Sequence, residues 1–138
     1  MKRPADIVVI DRFAALRTQL LALLAALGEN DWARPTAAPR WSVKDVTAHL
    51  LGDDIGILSR ARDFFRPPGP KVGTYSELVD LVNRLNEEWV VATRRMSPRL
   101  LRELLALTRR DVEAYFSSLD PAAIGGPVSW AGPDAAPV

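Results

Sequence analysis

Four stretches of this sequence repeat apolar residues at steps of three and four, and proline or glycine separates each from the next. That spacing gathers apolar side chains on one face of an α-helix, so the chain is confined to helices packed against helices. The first stripe is Ile10, Phe13, Leu16, Leu20, Leu23, Leu24 and Leu27, in a helix predicted over residues 5–27. Gly28 follows where a helix end favours a left-handed residue. Pro35 and Pro39 then keep residues 32–41 out of regular helix.

The second helix has the clearest start. Ser42 can cap the first turn and Asp45 sits at the reciprocal position, while Trp41 and Val46 are spaced as a hydrophobic staple. It is predicted to run through Leu50, Leu51, Ile57, Leu58 and Ala61 to about Phe65, and to stop at Arg66-Pro67-Pro68-Gly69-Pro70. Thr74 and Glu77 open a third helix over residues 75–96, with Leu78, Leu81, Val82, Leu85, Trp89 and Ala92 as its stripe. Ser97-Pro98 pairs a cap with proline at the first helical position, opening a fourth helix to about Leu119. Residues 120–138 lose the period and read as an irregular loop, with at most a short extended piece at 128–130. The expectation is an all-α antiparallel bundle, one domain over residues 1–138. A tail with no element behind it is unusual in a compact domain, so the natural protein is expected to continue beyond Val138.

The 18 basic and 17 acidic residues nearly cancel, and they are scattered rather than gathered into a stripe. Nucleic acid is therefore not an expected partner. No apolar run reaches the roughly 20 residues that span a bilayer, and Asp6, Asp11 and Arg12 interrupt the only signal-like stretch. A soluble, cytoplasmic protein without a membrane partner is expected. Cysteine is absent, which removes disulfides, thiolate metal ligands and a cysteine nucleophile from this chain.

His49 is the sole histidine. On a helical wheel it falls at the edge of the stripe formed by Val46, Leu50, Ile57 and Phe64. Asp53, four residues on, can lie beside the imidazole and falls in the sector of the packing residues. Three readings are open. Both side chains bind a divalent metal, as inward-facing groups do in bundle cores. Alternatively, His49 is the ligand and Asp53 fixes its tautomer. The third is a histidine half-buried between helices with a local hydrogen bond. Asn83, Asn86 and Trp89 on the third helix could line a polar pocket, although a solvated face explains the asparagines as well. Trp32, Trp41, Trp89 and Trp130 read as core plugs and loop anchors.

The entry Trp41-Ser42-Val43, with Asp45 and Val46, followed by His49-Leu50-Leu51-Gly52-Asp53, resembles the DinB-like superfamily. In particular it resembles the N-terminal domain of mycothiol-dependent maleylpyruvate isomerases. Trp32 and Pro35, Asn83, Ser97-Pro98 and residues 128–132 fall where that family places similar residues. The resemblance implies a helical bundle of up-down-down-up topology that holds a divalent metal, zinc or nickel, with His49 as first ligand. It places two further ligands on a later helix, as Glu or His followed four residues on by His. No histidine follows His49 here, so the final metal-site helix is expected to be missing after Val138. The resemblance also implies a small electrophilic substrate and a low-molecular-weight thiol such as mycothiol, used by an isomerase or transferase. The alternative expectation is a non-catalytic binding or regulatory module that covers an exposed apolar groove by forming a homodimer.

Overall fold

The computed structural model describes residues 9–123. Among them lie four α-helices: α1 Phe13–Ala26, α2 Val43–Ile57, α3 Tyr75–Thr93 and α4 Pro98–Ser117. No strand occurs among these residues, and the one extended pairing is an isolated bridge between Pro35 and Ser42. The all-α expectation holds. Successive helices reverse direction, up-down-up-down rather than the up-down-down-up order that the resemblance implies, because Asp45 meets Arg94 and Ala48 meets Trp89 across antiparallel α2 and α3. Helices α2 and α4 run parallel and share the most extensive contact, with α3 beyond α2 and α1 beyond α4.

The caps form as the sequence requires. The Asp45 N–H donates to Ser42 Oγ at 3.2 Å, and the Ser42 N–H donates back to Asp45 Oδ2 at 3.1 Å. The Glu77 N–H donates likewise to Thr74 Oγ1 at 3.2 Å, and the Leu100 N–H to Ser97 Oγ at 3.2 Å. Each satisfies backbone donors that a helix start leaves without partners.

Helix ends differ more. A tight 3₁₀ turn, Ile10–Arg12, precedes α1, and the expected start of the first helix at residues 5–8 lies outside the described residues. Gly28 does not take the left-handed conformation: at φ −75° and ψ 168° it is extended and caps a second 3₁₀ turn, Glu29–Ala33. Its N–H donates to Asp31 Oδ2 at 2.9 Å, a local bond that replaces the expected helix cap. After Ile57 the second helix widens to π geometry over Leu58–Arg62 rather than continuing as α-helix. Phe64 then takes φ 55° and is 78% exposed, so it does not belong to the buried stripe. The third helix stops at Thr93 and the fourth at Ser117, each two or three residues short of expectation. Residues 120–123 form a turn; the rest of the expected loop, including residues 128–130 and Trp130, lies outside the described residues.

Leu24, Trp32, Ala48, Leu51, Leu101 and Leu105 make the core cluster, with Leu101 and Leu105 fully enclosed. Two stripes are rotated relative to expectation. Leu24 is the buried residue of α1, whereas Leu16 and Leu23 are 57% and 61% exposed. On α3 the buried residues are Val90 and Thr93, while Val82 and Leu85 face outward. The α2–α3 seam explains the second shift. The Trp89 indole N–H donates to the Ala48 carbonyl at 2.7 Å, directly over Gly52, where a Cβ would stand 2.7 Å from the indole nitrogen. Arg94 grips Asp45 through Nε and Nη2 at 3.1 and 3.2 Å, and Lys44 Nζ donates to the Arg94 carbonyl at 2.8 Å. These bonds fix the register between the start of α2 and the end of α3.

Candidate functional site

His49 stands on α2 with its side chain one-quarter exposed. The loop before the helix supplies its main neighbour: the Trp41 ring lies 5.0 Å from the imidazole, centroid to centroid, tilted by 46°. Trp41 does not stand free. Its indole N–H donates to Glu87 Oε2 on α3 at 2.9 Å, and Arg40 Nη2 is 3.6 Å from the same oxygen. The Thr36 hydroxyl donates to the Trp41 carbonyl at 2.8 Å, so loop and helix together hold the ring against His49. Nε2 of His49 faces Asp53 Oδ2 at 3.4 Å, longer than a typical hydrogen bond.

Asp53 is the outward member of its doublet. Its side chain is 52% exposed, so it is not inside the packing sector. Asp54 is the buried acid, at 2% exposure, because one residue turns the side chain by about 100° on a helix. The Thr108 hydroxyl donates to Asp54 Oδ2 at 2.9 Å, and Arg109 Nε lies 3.4 Å from that oxygen. Burial pushes the Asp54 carboxyl up, against the opposing pull of Arg109 and Thr108. Asp45 shifts the other way: burial would raise it, but the Arg94 bonds and the Ser42 N–H outweigh that and hold it low.

These two shifts give opposite pH signatures. Asp54 binds its proton more tightly in the fold than in the unfolded chain. The stability it contributes is present below the ordinary value of 3.8 and is lost as pH rises through the higher folded value. Asp45 contributes stability above 3.8 that is lost as pH falls through its lower folded value. In urea unfolding, the advantage of wild type over Asp54→Asn should therefore shrink from acid toward neutral pH. The advantage over Asp45→Asn should grow over the same range. Slopes of the same sign would contradict this assignment.

The charged residues of α1, α2 and α4 converge on a pocket of about 290 Å³. Arg17 Nη2 lies 3.0 Å from Glu113 Oε2, beside the Asp54–Arg109 pair, with Asp53 at the rim. Sequence reasoning missed this group, which draws on three helices. The available signals were the Asp53-Asp54 doublet and the four-residue spacing of Arg109 and Glu113. Asn83, Asn86 and Trp89 are not brought together as one pocket. Asn83 is exposed on a depression with Arg40 and Glu87, Asn86 is half-buried, and Trp89 turns toward α2.

The sequence model of the family described as the mycothiol maleylpyruvate isomerase N-terminal domain matches residues 13–137. The chain belongs to this family. None of the curated proteins and none of the solved structures matches it. As a member of the mycothiol maleylpyruvate isomerase N-terminal domain family, the chain carries His49 on a helix start that its caps and the Asp45–Arg94 pair make rigid. The donor set around that histidine is nevertheless small. Among the described residues, no three His, Cys, Asp or Glu side chains come together in a way that could hold a metal ion. A closed or catalytic zinc centre needs at least three protein ligands, so these residues do not fit a complete metal site by themselves. No helix among the described residues is long and apolar enough to cross a membrane.

Proposed function

We propose that this chain is the helical, metal-binding domain of an enzyme that uses a low-molecular-weight thiol such as mycothiol on a small electrophile, as an isomerase or transferase. His49 is the proposed zinc or nickel ligand, and the resemblance implies that further donors stand on a later helix. The observation that carries this reading is the setting of His49 in a chain of this family. The imidazole is partly open to solvent, backed by a tryptophan that Glu87 anchors, and next to a carboxylate at 3.4 Å. Asp53 either shares the ion or orients the ring, since an imidazole ligand is commonly fixed by a carboxylate on its other nitrogen. The absence of cysteine suits a reaction whose thiol arrives with a cofactor. A thiol bound at a metal loses its proton more easily.

Thiol addition to a maleyl-type electrophile tests the reading, assayed with mycothiol on the full-length protein. Activity should fall to background on chelation and return with zinc or nickel. His49→Ala should lower it by at least roughly a hundredfold, the upper range for losing a residue that merely supports a metal ligand. Thiol addition unaffected by chelation would reject the mechanism.

A second reading rests on a separate observation. Leu16 and Leu23, seven residues apart on α1, are both more than half exposed. A non-catalytic module could bury that edge in a homodimer. Sedimentation decides: a monomer at high concentration removes this reading.

A further inference from the structure

We propose that the pocket between α1, α2 and α4 binds a small zwitterion with an apolar body, namely an aromatic or branched α-amino acid. This goes beyond the reading of His49: the two sites share Asp53 at the rim, and the pocket needs no metal. At about 290 Å³ the pocket is at the lower end of small-molecule sites, which run from roughly 300 Å³ upward. Three helices form its walls, so its shape is set by packing rather than by a loop.

The accessible charges are balanced. Arg17, Arg109 and Glu113 each leave about a quarter of the side chain exposed, at 27%, 27% and 25%, and Asp53 exposes 52%; Asp54 is sealed beneath at 3%. Two guanidinium groups therefore meet the opening with two carboxylates. A simple anion would meet Asp53 and Glu113 beside the arginines, and a simple cation would meet the arginines beside the acids. A molecule with a carboxylate and an ammonium on one carbon can present each to the opposite sign.

Each of the two ion pairs of the pocket has one atom without hydrogen-bond geometry. Arg109 Nε and Glu113 Oε2 are buried without a hydrogen-bond partner although each is close to an opposite charge. At these atoms the pairs are held by charge alone; both atoms are closed to solvent, so a ligand would meet the other guanidinium nitrogens and the other carboxylate oxygen of these groups. The remaining wall is apolar: Phe13 and Phe116 lie 5.2 Å apart, centroid to centroid, with Ile57 and Val112 beside them. That surface is suited to a phenyl or branched aliphatic side chain.

An NMR titration of the full chain with L-phenylalanine tests the assignment, run beside phenylacetate and 2-phenylethylamine. Phenylalanine should give saturable shifts at Phe13, Ile57 and Val112, and each single-charge analogue should bind at least about tenfold more weakly. Arg17→Gln and Glu113→Gln, confirmed as folded by circular dichroism, should each weaken phenylalanine by a similar factor, and His49→Ala should leave it unchanged. The comparison of ligands on the wild-type chain stands even if a variant fails to fold. Either analogue binding as tightly as phenylalanine, or no saturable shift up to roughly 10 mM, would overturn the proposal. So would loss of binding in His49→Ala.

Discussion

Leu101→Ala is expected to lower the free energy of unfolding by about 2–5 kcal/mol, while Leu23→Ala stays within about 0.5 kcal/mol. The chemistry of the two substitutions is the same, and only the surroundings differ. Leu101 is completely enclosed against Leu24, Leu51 and Leu105, so its loss leaves a cavity in a cluster to which three helices contribute. Leu23 is 61% exposed on the far flank of α1, where truncation mostly exchanges one solvated surface for another. Urea unfolding at low protein concentration measures both. Equal costs would place Leu23 in the core and contradict the rotation of α1 described above. A cost for Leu23→Ala that appears only at high concentration would support the dimer reading.

Gly52→Ala should destabilise the fold by about 1–3 kcal/mol, the usual range for overpacking. The sign is the informative part. In an open helix the same change is favourable by roughly 1 kcal/mol, because glycine is the poorer helix former. Here the added Cβ would stand 2.7 Å from Trp89 Nε1 and 2.8 Å from its Cδ1, so the indole has to leave the Ala48 carbonyl. The cost should vanish in a Trp89→Ala background, where Gly52→Ala becomes neutral or stabilising. Retention of the full cost there would show that something other than the indole opposes the methyl group. The seam matters for the site, since Trp89 follows two residues after Glu87, the residue that anchors Trp41 on His49.

Local features were legible in the sequence. Ser42 with Asp45, Thr74 with Glu77, and Ser97 before Pro98 form their caps as read, because donor and acceptor lie within three residues and depend little on the rest of the fold. Which flank of a stripe is buried was not legible. The α1 sequence is apolar nearly all round, so periodicity alone cannot choose between Leu24 and Leu23. On α2 the uncertainty of one residue exchanged Asp53 for Asp54, and with it an exposed acid for a buried one. The Arg17–Glu113 and Asp54–Arg109 pairs span 96 and 55 residues and follow from how α4 lies on α1 and α2. No local pattern encodes that placement. Gly28 failed for a related reason: Asp31, three residues on, offers its N–H a bond that extended geometry satisfies.

The position of His49 and its neighbour Asp53 was legible, and the tryptophan that backs the imidazole was visible only as a staple residue. In the fold Trp41 faces His49 and is tied to α3, which turns a helix-start residue into a wall of the site. The most direct test of the central claim is the metal content of the full-length protein, measured by elemental analysis after equilibration with zinc or nickel and removal of free ion. The account predicts bound metal in wild type and its loss in a folded His49→Ala variant. Equal metal content in the two proteins would contradict it.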